Sequence, residues 1–299
     1  MIRLRQFFLL SLLLFSSQVV AARDLTDELR RHVTVPEHPQ RIICLAPSIT
    51  ETVYALGAGE AVVGISDYTE FPAEALAKPS VGDLINPSVE KILDLHPDLV
   101  LASIEVNRRE TVEHLQELGI PVFVVNPNGL DGIVSSIGHV GNAIDHIADA
   151  GALMKRLEEK RKIVRTKVQG QPRPSVFVVI WYDPVITIGN KAFITEVISE
   201  AGGKSATADI PQAWPQISLE EVLRRSPDII LLTSGPRHAI TIAELNGQAG
   251  WNRLEAIREN RVIFLDYRLL HSSFLVFDAM EELAKKLHPS AFRQAERAQ

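Results

Sequence analysis

Aromatic side chains set in loops, and acids set at one fixed spacing, are the residues of this 299-residue chain that could act on another molecule. Tyr68 follows a predicted strand, Trp181 and Tyr182 follow a second, and Trp214 stands between Pro211 and Pro215 just ahead of a predicted helix. Phe, Trp and Tyr make up only 6% of the chain, so aromatics placed in loops instead of cores point to a binding cleft. Covering one Tyr or Trp ring removes roughly 150–250 Å² from water. At about 25 cal/mol per Å² that is on the order of 4–6 kcal/mol before ordering costs. Trp181 reads equally well as a lid on the core of its own segment, whereas a Trp between two prolines is harder to place in a core.

The acids come as a pair. Ser88, Glu90, Leu93, Pro97 and Asp98 recur as Ser218, Glu220, Leu223, Pro227 and Asp228 at a constant offset of 130 residues, and Leu99-Val100-Leu101 recurs as Ile229-Ile230-Leu231. Each copy reads as a serine capping a helix, a glutamate in the first turn where the macrodipole favours an acid, and a Pro-Asp break before a strand. Two related lobes are therefore expected. The residues alone leave Glu90 and Glu220 either as helix-start acids or as contacts placed for a partner.

Enzyme chemistry finds little support. No P-loop, nucleophile-elbow or HExxH pattern is present. Gly57-Ala58-Gly59 and Gly64 fall between a helix and a strand, whereas a dinucleotide fingerprint needs its glycines between a strand and a helix. His139 and His146, seven residues apart on a predicted helix, lack a carboxylate or thiol at ligand spacing and read as solvated. Asp67 and Asp183 are acids a cleft enzyme could use, but no nucleophile, metal or nucleotide constellation completes them. The single Cys44 excludes an intrachain disulfide and multi-thiolate metal sites, and its apolar surroundings read as a reduced core strand. With 31 Lys plus Arg against 37 Asp plus Glu, the net charge of −6 removes the basic footprint of a sequence-independent nucleic-acid binder.

Positioning these residues falls to short β-branched runs alternating with amphipathic stretches, the pattern of βαβ units around mainly parallel sheets. Arg3 and Arg5, the apolar run Phe7 to Phe15, and Val20-Ala21-Ala22 read as a secretory leader over residues 1–22. It is too short to span a bilayer, and no cysteine follows it for lipid attachment, so a free, soluble exported protein is expected. Without the leader's two arginines the net charge becomes −8. Strands at Ile42 to Leu45, Val62 to Ile65, Leu99 to Ala102 and Val122 to Val125, a capping box Ser48-Ile49-Thr50-Glu51 and a helix from Glu110 to Leu118 make one lobe over 23–129. Ile133, Ile137, Val140, Ile144, Ile147 and Met154 then keep helical phase, predicting one long connecting helix from Gly132 to about Val168 within 130–170. After the breaker Gln169 to Pro174, strands at Val176 to Ile180, Ile229 to Thr233 and Val262 to Leu265 and a helix at Phe274 to Leu287 make a second lobe over 171–299. The fold class expected is α/β: two Rossmann-like lobes joined by one long helix, with a ligand cleft where loops beyond the strands' carboxyl ends face each other.

Three segments carry a resemblance: Arg41-Ile-Ile-Cys-Leu-Ala-Pro-Ser-Ile-Thr-Glu51, Gly64-Ile-Ser-Asp-Tyr-Thr-Glu-Phe-Pro72 and Trp214-Pro-Gln-Ile-Ser-Leu-Glu-Glu-Val-Leu223. The chain resembles the periplasmic solute-binding proteins of ABC importers, in the branch with a rigid interlobe helix that serves cobalamin, haem and ferric siderophores. Within it, the cobalamin-binding proteins are the most similar. The resemblance spans nearly the whole exported chain, and Trp-Pro-Gln is its most specific part. It implies a monomeric periplasmic protein without enzyme activity or resident cofactor, which carries cobalamin or a related corrinoid to the membrane-subunit dimer of an ABC importer.

By position, Tyr68 and Trp214 match aromatics of the corrinoid cleft, and Trp181 and Tyr182 join them on the residues alone. The stretch Asp266 to Ser273 matches a further cleft loop more loosely and adds Tyr267, His271 and Ser272. Glu90 and Glu220 match two acids, one per lobe, that dock onto arginines of two identical membrane subunits, so a pseudo-twofold pair would meet a twofold partner. The chain departs from the pattern at Leu84, where a close relative presents another aromatic. Haem, with Tyr68 or His271 as axial ligand, and a ferric siderophore are the alternative cargoes. The predicted cleft segments lack the arginine cluster that anionic chelates demand.

Overall fold

The computed structural model describes residues 21–234, 240–267 and 271–296. The expected leader lies outside these residues except for Ala21 and Ala22. An antiparallel hairpin of β1 (Ala22–Thr26) and β2 (His32–Pro36), not foreseen from the sequence, precedes the first lobe. That lobe comprises β3 (Ile42–Cys44), α1 (Pro47–Ala55), β4 (Val62–Ile65), α2 (Val89–Asp94), β5 (Leu99–Ser103), α3 (Arg109–Glu117) and β6 (Val122–Val125). Its four strands are parallel, in the order β4-β3-β5-β6. β3, β5 and β6 are buried along their whole length, as continuous apolar strands are when both faces of a parallel sheet are covered. Cys44 lies in this core, and burial pushes its thiol up to about 12.

The expected capping box of Ser48 and Glu51 does not form. Proline's fixed φ suits the first helical position, so α1 starts at Pro47, with Ala46 at its N-cap and no side-chain cap. Glu51 is thereby carried into the second turn, where it is only 3% exposed.

The connector also departs from expectation, because the chain turns where one continuous helix was predicted. α4 (Gly129–Ala143) and α5 (Ile147–Val168) are separated by Ile144 to His146, with Asp145 at φ 62°. The helices fold back on each other. A Cβ on Gly141 would come within 2.3 Å of the Cβ of Ala150, Gly138 abuts Met154, and Asp131 at the start of α4 pairs with Arg161 of α5. The glycines that interrupt the apolar repeat are thus the contact surface of a helical hairpin. Arg23 and His38 of the N-terminal segment pair with Asp145 at the turn. His139 and His146 share no site: the first faces Glu28 at 3.2 Å, the second Asp149 at 3.0 Å. No His, Cys, Asp and Glu cluster among the described residues could hold a metal ion.

The second lobe comprises β7 (Ser175–Val178), β8 (Trp181–Tyr182), β9 (Val185–Ile186), α6 (Phe193–Glu200), β10 (Lys204–Ser205), β11 (Gln216–Ile217), α7 (Leu219–Arg225) and β12 (Ile229–Ser234). It ends with α8 (Ile242–Gly247), α9 (Glu255–Arg258), β13 (Val262–Asp266), α10 (Val276–Leu287) and α11 (Pro289–Glu296). Its main sheet is parallel in the order β10-β7-β12-β13, the same path as the first lobe's. The offset of 130 residues maps centre onto centre: Val100 pairs with Ile43 and Val122, and Ile230 with Phe177 and Val262.

The other repeated residues hold each lobe together. Ser88 and Ser218 accept the N–H groups of Lys91 and Glu221 as helix caps. The Asp98 carboxylate accepts the N–H groups of Gln40 and Arg41, and Asp228 accepts that of Ser175, so each Pro-Asp break fastens the chain entering its lobe's first strand. A small antiparallel sheet, β11-β9-β8, is added to the second lobe. Arg161 locks the connector to α6: its guanidinium donates to Asp131, Glu196 (3.1 Å) and Glu200 (3.0 Å), while the Leu130 N–H donates to Glu196 (3.0 Å).

Candidate functional site

A cavity of about 430 Å³ lies between the lobes. Ile104, Glu105 and Val106 follow β5, and Asn126 and Asn128 follow β6, to make its first-lobe wall. Lys191, Ala192, Phe193, Ala213 and Trp214 make the second-lobe wall, and Ser272 completes the lining. The first-lobe wall thus stands beyond the carboxyl ends of strands, where open α/β sheets take their ligands.

The segment that carries Trp214 is held by backbone hydrogen bonds. It runs beside the one after β9, with N–H groups of Thr187, Gly189 and Asn190 donating to the carbonyls of Pro215 (3.1 Å), Ala213 (2.9 Å) and Ile210 (2.9 Å). A Cβ on Gly189 would lie 2.2 Å from the Gln212 carbonyl oxygen, so this approach requires glycine. The indole is left 48% exposed. Tyr68 sits in a turn closed by the Thr69 N–H on the Ser66 carbonyl (3.1 Å), and it and Phe71 are also largely exposed. Trp181 is exposed on β8, where its Nε1 donates to the Asp183 carbonyl (2.8 Å) and its ring stacks on Tyr182 at 5.1 Å between centroids. Tyr182 turns toward a second depression of about 420 Å³, which it shares with Ser218, Glu220 and Trp251. Of the expected ligand contacts, the interlobe cavity brings together Trp214 and Ser272.

Tyr267, His271 and Ser272 each meet an acid of the first lobe. Burial and a hydrogen bond to Glu70 push the Tyr267 phenol upward. His271 Nδ1 lies 3.8 Å from Glu51 Oε1, and both this nitrogen and Glu51 Oε2 are buried without a hydrogen-bond partner among the described residues. Ser272 is hydrogen-bonded to Glu105, which stays accessible from the cavity although the surrounding walls desolvate it; that desolvation raises its pKa and the serine offsets part of the rise. The rings of Tyr267 and His271 meet edge to face at 5.2 Å. This seam of Glu51, Glu70 and Glu105 was not foreseen. A carboxylate among the buried residues of α1, between Thr50 and Thr52, was the one available signal, and its capping-box spacing accounted for it locally.

Glu90 and Glu220 are exposed at the starts of α2 and α7, and neither makes an ion pair among the described residues. Arg41, just before β3, donates to the carbonyls of Leu95 and His96 beyond the end of α2. The helix start with Glu90 therefore lies toward the strands' carboxyl ends, on the side of the cavity. Its own backbone N–H, then the Ser218 hydroxyl, hold the Glu220 carboxyl below its usual range. The adjacent Glu221 is instead engaged by Arg224 and Arg225.

Residues 42–269 match the model of a family described as periplasmic binding protein. The chain belongs to the periplasmic binding protein family. This is a family of substrate-binding transport proteins and not of enzymes, and those of ABC transporters work with membrane permease subunits. The chain is 31% identical over 276 residues to the uncharacterized ABC transporter substrate-binding lipoprotein YvrC of Bacillus subtilis, covering 90% of this chain and 86% of that protein. The periplasmic vitamin B12 binding protein BtuF of Vibrio cholerae is similar in structure, with a TM-score of 0.73 and 28% identity over 83% of this chain and 96% of that one. The periplasmic heme-binding protein RhuT of Roseiflexus sp. RS-1 gives a TM-score of 0.76 and 26% identity over 84% and 99%. Both share the two-lobed α/β architecture with this periplasmic binding protein. No helix among its described residues is long and apolar enough to cross a membrane.

Proposed function

We propose that this protein captures cobalamin or a related corrinoid between its lobes in the periplasm, as a soluble monomer after loss of its leader, and delivers it to an ABC importer. The observation that carries this reading is Trp214, an indole kept half-exposed by a rigid backbone frame on the wall of a cavity otherwise lined largely by amides and apolar groups. A corrinoid offers the matching surfaces, an apolar ring face for aromatic contact and peripheral carboxamides for Asn126 and Asn128. The likeness to a vitamin B12 binding protein supports it. Tyr68 supplies further aromatic surface, with Trp181, Tyr182, Tyr267, His271 and Ser272 as the outer set of contacts. Glu90 and Glu220 are the docking acids, one on each lobe.

The connector defines how the lobes move. A helical hairpin cross-linked to α6 by Arg161 resists wide hinge opening, so capture uses a largely preformed cleft and small displacements. Titration of the purified protein with cyanocobalamin and with haemin, followed by tryptophan fluorescence and visible spectra, tests the cargo. Submicromolar quenching by the corrinoid without an iron-ligation band is the expected result. A haem Soret shift that disappears in Tyr68→Phe would replace corrinoid with haem.

A further inference from the structure

The interlobe cavity is electrically lopsided. Two charged side chains line it, Glu105 on the first lobe and Lys191 on the second. Glu105 is already engaged by Ser272. Lys191 is exposed and makes no ion pair or side-chain hydrogen bond among the described residues, a state it shares with Lys78, Lys91, Lys162, Lys167 and Lys204; what sets it apart is its place, as the one lysine lining this cavity. Its backbone belongs to the frame that presents Trp214, the Lys191 N–H donating to the Gln212 carbonyl (3.4 Å), so its side chain springs from the same wall as the indole. The cation and the indole therefore rise from one backbone frame. A ligand lying against Trp214 brings its periphery past an ammonium that has nothing else to neutralise.

We propose that Lys191 pairs with an anionic substituent of the captured ligand and selects cargoes that carry one. Glu105 on the facing wall repels the same group, so the two charges set which way round the ligand enters. The substituent is an oxyanion, a phosphodiester or a carboxylate. This assignment rests on the corrinoid reading for its most direct form: cobalamin carries one phosphodiester in its nucleotide loop, cobinamide carries none, and haem carries two carboxylates. An ammonium that gains a charge-assisted hydrogen bond as the cargo excludes water is worth more than an exposed surface pair.

The experiment compares wild type, Lys191→Met and Lys191→Arg for binding of cyanocobalamin, dicyanocobinamide and haemin at low and high salt, with melting curves to confirm that each variant is folded. Lys191→Met is expected to weaken cyanocobalamin about tenfold, as loss of a partly screened charge-assisted hydrogen bond does. It should leave dicyanocobinamide unchanged and flatten the salt dependence of cobalamin binding, while Lys191→Arg retains most of the affinity. Equal losses for both corrinoids, or a loss for neither, would overturn the assignment. If wild type binds haemin and no corrinoid, the corrinoid reading fails by itself. Lys191 is then judged on haemin, where an unchanged affinity in Lys191→Met overturns it and a loss of about tenfold sustains it.

Discussion

Replacing Arg161 with methionine removes the charge that joins the connector to the second lobe while keeping much of the volume. The Arg161 side chain is 6% exposed and donates to Asp131, Glu196 and Glu200. Deleting one partner of a buried ionic cluster costs about 3–5 kcal/mol. Two features reduce that figure here. Arg165 remains on Glu200 through hydrogen bonds of 2.5 Å, and the Asp131 side chain is 84% exposed, so water solvates part of the orphaned charge. A loss of about 2–3 kcal/mol is the reasoned magnitude, which for a chain of this size lowers Tm by about 5–10 °C. The side chain of Arg165 is 54% exposed, so Arg165→Met is the matched control, expected to shift Tm by no more than about 2 °C. Differential scanning calorimetry of the three proteins, with and without saturating cargo, reads both numbers. Cargo affinity should also fall in Arg161→Met, because α4 begins beside Asn128 and α6 beside Ala192 on opposite walls of the cavity. An Arg161→Met protein that melts within a degree of Arg165→Met would refute the argument that this cluster fixes the connector.

Trp214→Ala should weaken corrinoid binding strongly: covering the exposed half of the indole removes roughly 100 Å² from water, about 2.5 kcal/mol or nearly a hundredfold, read by isothermal titration. Glu90→Ala combined with Glu220→Ala should leave cargo affinity unchanged and abolish uptake by cells that depend on the importer; normal uptake would remove the docking role. The raised pKa of Glu105 has a defined sign: the folded state holds this proton more tightly than the unfolded chain, so its contribution is favourable at acid pH and is lost as pH rises through the folded pKa. The Tm advantage of Glu105→Gln over wild type should therefore grow from about pH 4 toward neutrality, and a difference independent of pH would contradict the desolvation argument.

The two-lobed α/β plan was readable because its signals are local and repeated. Every strand of the main sheets except the two-residue edge strand β10 (Lys204–Ser205) is a short, mainly apolar run, and the offset of 130 residues carries a capped helix, a Pro-Asp break and a central strand in the same order in both lobes. The structure gives that repeat a physical reason, since Asp98 and Asp228 fasten equivalent chain entries. The hairpin in the connector was not readable. Ile144 in the turn and Ile147 after it stand at a step of three, which is also a helical step, and although Ile147 is exposed, Ile133, Ile137, Val140 and Ile144 join one core with Leu153 and Leu157 of α5. Hydrophobic phase therefore passes through the turn unbroken. Only the left-handed Asp145 and the close Gly141 to Ala150 contact mark it, and neither has a pattern of its own.

The candidate site divides along the same line. Aromatics stood out because Tyr68, Trp181 and Trp214 are exposed large side chains in a chain with few of them. The acids facing Tyr267, His271 and Ser272 were invisible because their meaning depends on residues more than 150 positions away in the chain. Glu51 shows why such residues escape a local reading. Three residues after Ser48 it satisfies the spacing of a capping box, yet Pro47 starts the helix and leaves the carboxylate facing the other lobe. Local rules explain residues whose partners are near in sequence. A cleft between two lobes is made of residues whose partners are not, so its polar seam emerges only when the lobes are set against each other.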